Sequence, residues 1–158
     1  MFAFLLGMYF VYAEIQQNGV IASANLAIYT NQRVYELQNQ FLDPEFSALY
    51  LKGLHSPAEL DDHERFRLNA FYESVRLIMG YEYRNYRLGL FENYAGVTRN
   101  LARRYLSHGY GQAWWRVKRP QINSEIVKVV DLELLNSDGS DDWTEFDSKV
   151  IQQIEALQ

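Results

Sequence analysis

Residues 61–89 read DDHERFRLNAFYESVRLIMGYEYRNYRLG, and this segment carries the signals that mark both ends of a helix. Asp61, Asp62 and Glu64 place carboxylates where the positive end of a helix dipole favours them, and Gly89 suits the residue that follows a helix. The spacing of the apolar residues in between predicts one helix over about 62–88. At about 1.5 Å per residue this helix would be about 40 Å long, enough to form the centre of a small bundle.

The predicted helix is apolar on two faces. At about 100° per residue, one broad stripe contains Leu68, Phe71, Tyr72, Val75, Ile78, Met79 and Tyr86. The opposite side contains Phe66, Ala70, Leu77, Tyr81 and Leu88. A helix that is apolar on two faces needs two covering layers, so we expect neighbouring elements on both sides.

Glu82 falls within the first stripe, beside Val75 and Ile78. Burying an unpaired carboxylate is costly, so we expect a donor: an Arg from a neighbouring helix, a Tyr hydroxyl or a Trp indole N–H. Two interpretations are open, namely an acid with a shifted pKa in a pocket and a structural ion pair. We favour the ion pair, because structural networks also hold buried carboxylates.

The composition indicates one globular domain without disulfides. The chain has 158 residues, 48% of them hydrophobic, and no cysteine, which is compatible with a reducing compartment. The net charge of −5 is unevenly distributed, with −4 over residues 1–61, +6 over residues 62–119 and −7 over residues 120–158. The basic middle and the acidic tail could attract each other, or the middle could face a phosphate-bearing partner, and we favour the first.

Residues 1–15, MFAFLLGMYFVYAEI, are almost entirely apolar, and Glu14 is their only charge. The segment is several residues shorter than the about 20 apolar residues with which a helix spans a bilayer core. It also lacks the basic start and the small-residue cleavage site of a secretory signal. Three interpretations remain: a transmembrane helix whose beginning is missing, an interfacial anchor, and a buried core helix. We favour the membrane, and we predict an anchor over residues 1–18 with the following domain on the cytoplasmic side.

A heptad-like series follows the apolar segment. It consists of Val20, Ala24, Ala27, Asn31, Val34, Gln38 and Phe41. Two amides in such a seam can set the register of a coiled coil. The alternative, which we favour, is that this series is the core-facing stripe of the first bundle helix.

The remaining chain predicts several shorter helices. Asp43-Pro44-Glu45 is typical of a helix start, Gly53 of its end, and Ser56-Pro57 of a short turn. Further helices are expected over 91–107, 112–119 and 123–135, with breaks at His108-Gly109 and Gly111. We therefore predict an all-α fold with a bundle domain over 19–135, a linker over 136–142 and an amphipathic helix over 143–158.

Trp114 and Trp115 lie beside Arg116, Lys118 and Arg119. Adjacent residues of a helix point in different directions, so we expect one Trp to be buried and the other to lie at a surface, an interface or a lipid headgroup layer. Aromatic and basic residues together could also bind nucleic acid, but no nucleic-acid module signature is present and we predict no such partner.

Motifs for catalysis and for metals are missing from the sequence. No Gly-rich phosphate loop follows a strand, and the histidines, His55, His63 and His108, lack the spacing of helical zinc sites. We predict no enzyme activity, no cofactor and no metal. The candidate binding residues are Glu82, Arg65, Tyr86, Arg87, Trp114 and Trp115.

Five segments in order resemble an uncharacterised family of short bacterial helical proteins. They are 14–18 (EIQQN), 43–54 (DPEFSALYLKGL), Glu64-Arg65-Phe66, 80–90 (GYEYRNYRLGL) and Trp114-Trp115. The resemblance covers about residues 8–135 and implies one N-terminal membrane helix followed by a helical domain, without implying an activity. Its pattern positions are Arg65, Phe66, Glu82, Tyr86, Arg87, Gly89 and Trp115. The chain departs from the pattern in its shorter apolar helix and in its acidic tail.

The sequence leaves two functional hypotheses. The first is a non-catalytic, membrane-anchored helical interaction module that binds a protein partner, or a second copy of itself, through 114–119 or the tail helix. The alternative is a soluble ligand-binding or enzymatic bundle with Glu82 in an internal pocket.

Overall fold

A computed structural model describes residues 2–136, together with 150 and 152, and the side chains from residue 4 onward. Within this part of the chain the protein is all-α, as predicted. Its helices are α1 (Phe2–Asn39), α2 (Pro44–His55), α3 (Asp62–Arg87), α4 (Ala95–Tyr105), α5 (Gly109–Lys118) and α6 (Ser124–Asn136). Short 3-10 helices at Gln40–Leu42, Pro57–Glu59 and Arg119–Gln121 connect some of them. The predicted linker beyond Asn136 and the predicted helix over 143–158 lie outside the described residues, apart from positions 150 and 152.

The prediction of a long helix over 62–88 is confirmed by α3, and both ends are closed by hydrogen bonds. At the start, the Asp61 carboxylate accepts from the Glu64 backbone N–H at 2.8 Å, and the Glu64 carboxylate accepts from the Asp61 N–H at 2.8 Å. At the end, Gly89 adopts a φ of 71°, and the Leu90 N–H donates to the Asn85 carbonyl at 3.0 Å. This arrangement satisfies the last carbonyls of the helix and is accessible to Gly without strain.

α3 is the centre of the bundle, because it packs against each of the other five helices. Its buried residues are six of the seven apolar residues of the first predicted stripe, together with two polar side chains: Leu68, Phe71, Tyr72, Val75, Ile78, Met79, Glu82 and Asn85. The seventh, Tyr86, was expected on the buried stripe and is 40% exposed. The prediction that the opposite face is also covered is wrong for most of it, since Phe66 is 71% exposed, Leu77 58% and Leu88 66%. Tyr81 is the exception, because its ring packs against Tyr29 of α1 with the centroids 4.9 Å apart. The other helices gather on the first stripe, which has no charged residue except Glu82.

An aromatic cluster joins α3 to α2, to α4 and to the 3-10 helix Gln40–Leu42 that follows α1. The Phe71 ring lies 5.3 Å from Phe46, 5.7 Å from Phe41 and 5.3 Å from Tyr105, measured between ring centroids. Most of these contacts are edge-to-face, the geometry that aromatic pairs prefer. The cluster fixes the position of α3 within the bundle.

α1 is one continuous helix, so the boundary that we predicted after residue 18 falls inside a helix. Its second half packs against α3 through Thr30 and Leu37, which are buried. The predicted series is wrong by one position at its start, because Val20, Ala24, Ala27 and Asn31 are exposed. The face of α1 that packs against α3 places the hydroxyl of Thr30 opposite Glu82.

α2 begins as predicted and ends later. The Asp43 carboxylate accepts from the Glu45 N–H at 3.0 Å, and Pro44 occupies the first helical position. The helix continues through Gly53 to His55, so Gly53 does not terminate it. A Cβ at Gly53 would lie 2.6 Å from the Leu68 side chain, and this close approach of α2 to α3 explains the glycine.

Candidate functional site

A buried hydrogen bond between α1 and α3 is the first feature of the site. The Thr30 hydroxyl donates to Oε1 of Glu82, and the two residues are 6% and 3% exposed. The prediction that Glu82 is buried is therefore confirmed. The donors that we expected, an Arg, a Tyr or a Trp, are wrong, and among the described residues Glu82 forms no ion pair. Sequence spacing within α3 could not identify Thr30, which lies 52 positions earlier.

The environment of Glu82 favours its protonated form. Burial raises the pKa of the Glu82 carboxyl, and the hydrogen bond from Thr30 lowers it by a smaller amount. Asn85, one turn further along α3, is 4% exposed, and its side-chain N–H group has no partner among the described residues. α3 thus carries two adjacent buried polar side chains that are only partly satisfied.

A groove lies between the second half of α1 and α3. This α1–α3 groove has a volume of about 520 Å³, and Tyr29, Thr30 and Arg33 form one wall. Leu77, Tyr81 and Arg84 form the other wall. Its size is in the range of small-molecule sites. Thr30 lines this groove and Glu82 does not, so the carboxyl lies behind the hydroxyl and not at the surface of the groove.

A second groove lies on the other side of α3, facing the start of α6. This α3–α6 groove has a volume of about 360 Å³ and includes Tyr83, Arg87, Ile122 and Ile126. The two grooves share three residues of α3, Arg76, Gly80 and Arg84. We call the surface formed by these three residues the Gly80 notch.

The cations of the two grooves differ in how they are paired. Arg33 is held by Glu36 at 2.6 Å and by the Tyr29 hydroxyl at 3.0 Å. Arg87 donates to the Tyr83 hydroxyl at 3.1 Å. Arg84 is exposed and forms no hydrogen bond or ion pair with any described residue.

Arg76 is held through one nitrogen only. Its Nε lies 2.6 Å from a carboxylate oxygen of Glu73, which also pairs with Lys118. These two cations lower the pKa of Glu73 against the opposing effect of its partial burial. One carboxylate thus serves two cations, and the region around Arg76 retains positive charge.

The other predicted site residues do not converge on Glu82. Arg65 lies in the first turns of α3, 3.5 Å from Asp62, and Tyr86 packs against Tyr94 with ring centroids 5.0 Å apart. Arg65 is about 25 Å from Glu82 along the helix, at about 1.5 Å per residue. Of these residues, Arg87 alone lines one of the two grooves between α3 and its neighbours, namely the α3–α6 groove.

The expectation that one Trp lies at the surface is wrong. Trp114 is 6% exposed and Trp115 is 1% exposed. The Trp114 indole donates to Asn69 of α3 at 2.8 Å, and the Trp115 indole donates to Asp131 of α6 at 2.8 Å. Both are buried because α5 is covered on two sides, so the segment 114–119 presents no indole to a partner.

Three residues of the site escaped the sequence analysis. Asn85 could have been found, because it lies one turn after Glu82 on the same stripe. Gly80 also carried a signal, because a glycine in the middle of a long helix is costly. Thr30 carried none, since its role depends on how α1 is placed against α3.

The first half of α1 is uncovered. Its large apolar residues between positions 4 and 15 are each 48–70% exposed: Phe4, Leu5, Leu6, Met8, Tyr9, Phe10, Val11, Tyr12 and Ile15. Among the described residues, no helix has the length and apolar character required to cross a bilayer.

Comparisons with models of protein families, with curated proteins and with solved structures find no match to this chain. The resemblance stated above therefore stays a prediction.

Proposed function

We propose that the protein is a non-catalytic helical interaction module that is held at a membrane by the first half of α1. The observation that carries this proposal is the exposure of the apolar residues between positions 4 and 15. Transfer of such side chains from water to an apolar environment lowers the free energy by about 25 cal/mol per Å² of apolar surface. A contiguous apolar surface of this kind typically marks an interaction site.

The distribution of these residues around the helix favours lipid over a protein partner. Positions 4–6 and 8–12 are all large and apolar, and successive residues are rotated by about 100°, so no polar stripe remains. A helix that docks in a groove or pairs in a coiled coil keeps a polar face toward water. A helix that is apolar on every side suits a lipid environment.

The sequence on the C-terminal side of this segment is consistent with a membrane boundary. Tyr12 lies near its end, and Gln16, Gln17 and Asn18 follow, all exposed. Tyr is enriched where hydrocarbon meets headgroups, and amides are stable in the aqueous layer. Anchoring at this boundary would leave residues 22–136 in the aqueous phase.

The bundle would then present its own surface to a partner. The exposed face of α3 combines Phe66, Leu77 and Leu88 with arginines, and this mixture is typical of protein interfaces. The chemistry supports binding and no specific reaction, because Glu82 lines neither groove and its described partner is a neutral hydroxyl.

The test is membrane partition of charged variants. Cells would express the full chain, a Leu5→Asp/Phe10→Asp variant and a matched Leu42→Asp/Leu135→Asp variant, and membranes would be washed at alkaline pH. All four positions are exposed, at 57%, 61%, 80% and 82%. An Asp at the centre of a membrane helix costs about 3 kcal/mol, so we expect only the first variant to leave the pellet.

Retention of the Leu5→Asp/Phe10→Asp variant in the washed pellet would contradict the proposal. So would a full chain that is extracted as completely as this variant. Circular dichroism of each variant confirms that the helical content is unchanged.

A second candidate is a ligand-binding or enzymatic bundle in which Glu82 acts through an internal pocket. It is favoured by one observation, namely that Thr30 lines the α1–α3 groove and donates to the buried Glu82. A Thr30→Val variant removes the hydroxyl and keeps the shape of the side chain. Because the Thr30 hydrogen bond lowers the pKa of Glu82, we expect carbon-13 NMR titration to show a higher pKa in the variant. Identical titration curves would show that the Thr30 hydroxyl does not bond to Glu82, and would remove the observation that favours this candidate.

A further inference from the structure

Gly80 has no structural reason to be a glycine. It lies in the interior of the 26-residue α3, where a glycine costs about 1 kcal/mol relative to alanine. Its φ is not positive, and a Cβ built on it would meet nothing within 4 Å. At Gly111, by contrast, a Cβ would collide with the Tyr105 carbonyl. Gly80 therefore keeps open a space that no described part of the protein fills.

The open space lies between two arginines. Arg76 and Arg84 are one turn before and one turn after Gly80, on the same face of α3. Their Cα atoms are about 12 Å apart along the helix, at about 1.5 Å per residue. Since no side chain stands between them, the two guanidinium groups can converge on a group seated over Gly80.

Both arginines have N–H groups that donate no hydrogen bond to a described residue. Arg84 forms no hydrogen bond or ion pair with any described residue, and Arg76 is bonded to Glu73 through Nε, which leaves its terminal nitrogens. Four arginines line the two grooves. Arg33 pairs with Glu36 and Arg76 pairs with Glu73, whereas Arg84 forms no ion pair with any described residue. Arg84 therefore brings uncompensated positive charge to the notch.

We infer that the Gly80 notch is a binding site for a phosphate monoester with an apolar or aromatic body. A phosphate has three terminal oxygens, and two guanidinium groups can bind them through paired hydrogen bonds. The body of the ligand would lie in the α1–α3 groove, against Tyr29, Leu77 and Tyr81. This inference does not depend on the membrane anchor and assigns the bundle a ligand of its own.

The position of the notch favours a soluble ester over a lipid headgroup. On α1, the groove begins at Tyr29, about 21 Å along the helix from Ile15, at about 1.5 Å per residue. The chemistry of the two sources is the same, so the experiment must separate them.

The test uses the full chain in a neutral detergent, with phenyl phosphate as the probe and phenol as its uncharged counterpart, by isothermal titration calorimetry. Arg84→Gln removes two-point binding of the phosphate, and Gly80→Leu fills the notch with a good helix-forming residue. Arg116→Gln is the control, because Arg116 is an exposed arginine of α5 that lines neither groove.

We expect saturable binding of phenyl phosphate, no binding of phenol, and a loss of affinity of at least about tenfold in Arg84→Gln and Gly80→Leu. Arg116→Gln should bind as the unmodified chain does. Thermal unfolding shows whether each variant is folded, and Arg84→Gln gives an answer even where Gly80→Leu is unstable, since Arg84 has no described partner to lose. Equal affinity for phenyl phosphate in all four proteins would overturn the inference, and so would a failure of both phenyl phosphate and phosphatidate to bind at this site.

A vesicle arm separates the two sources. Binding to phosphatidylcholine vesicles with and without phosphatidate is compared for the unmodified chain and Gly80→Leu. If the extra binding to phosphatidate is lost in Gly80→Leu while phenyl phosphate does not bind, the same site takes a lipid headgroup. If neither probe responds to Gly80→Leu or Arg84→Gln, the notch is not an anion site.

Discussion

The first half of α1 and the central helix α3 are both rich in Phe, Tyr, Leu and Met, yet they lie in opposite surroundings. α3 buries one stripe against five other helices and leaves the apolar residues of its other face among arginines. Between positions 4 and 15, α1 leaves its large apolar side chains exposed and has one charge, Glu14. Apolar content alone therefore does not place a helix in a core. A surface helix of a bundle also needs polar residues on the side that faces water.

We expect the largest difference in unfolding free energy between the two regions when one leucine is replaced by alanine in each. Leu68 of α3 is fully buried and Leu5 of α1 is 57% exposed. We expect Leu68→Ala to lower the free energy of unfolding of the bundle by about 2–5 kcal/mol, because it leaves a cavity in the core. Leu5→Ala should change it by less than about 0.5 kcal/mol. Denaturant unfolding in neutral detergent measures both, and equal losses would show that residues 4–15 belong to the folded core.

A smaller difference is expected between the aromatic residues of the two regions. Trp115 is buried and donates to Asp131, whereas Tyr9 is 66% exposed. Trp115→Phe keeps most of the ring but removes the donor from a partly buried hydrogen bond to a carboxylate, so we expect a loss of about 1–3 kcal/mol in unfolding free energy. Tyr9→Phe should have no effect on unfolding. A neutral result for Trp115→Phe would mean that Arg119, which lies 3.2 Å from Asp131, satisfies that carboxylate alone.

The smallest effect concerns pH and the buried polar contact of α1 with α3. Because burial raises the pKa of Glu82 in the folded chain, the folded state binds this proton more tightly than the unfolded state. The contribution of Glu82 to stability is therefore greatest at low pH and falls as pH rises from the unfolded-state pKa, about 4.3, through the folded-state pKa. Each unit of elevation corresponds to about 1.4 kcal/mol.

Glu82→Gln cannot ionise, so its stability should lack this component. We expect the difference in unfolding free energy between Glu82→Gln and the unmodified chain to move in favour of the variant as pH is raised from 4 to 8. A difference that is constant over this range would contradict a raised pKa. Asp61, Glu64 and Glu73 have lowered pKa values and contribute the opposite slope in both proteins, so it cancels in the comparison.

The sequence predicted the parts of the fold that local chemistry determines. α3 was found with its start and its end, because Asp61, Glu64 and Gly89 act within a few residues of one another. The start of α2 was found from Asp43 and Pro44 for the same reason. The end of α2 was missed, since Gly53 is explained by the approach of Leu68 from another helix.

The candidate site was predicted only in part, because it depends on which faces of the helices meet. Glu82 was found from its place in an apolar stripe, but its partner Thr30 was not, since nothing local identifies the face of α1 that contacts α3. Trp114 and Trp115 were expected to differ in exposure, but both are buried, because α3 and α6 cover α5 on two sides. This arrangement follows from the packing of distant helices and leaves no signal in the local sequence. The grooves and the pairing of their arginines likewise follow from the packing of helices.

The claim that the first half of α1 lies in lipid is tested most directly by the environment of a single labelled position. The chain has no cysteine, so Met8→Cys and Leu42→Cys each provide one site for a polarity-sensitive fluorophore. Both positions are exposed, at 56% and 80%. In phosphatidylcholine vesicles, and relative to the free fluorophore in buffer, we predict a blue-shifted emission at position 8 and no shift at position 42. An unshifted emission at position 8, or equal shifts at both positions, would contradict the account.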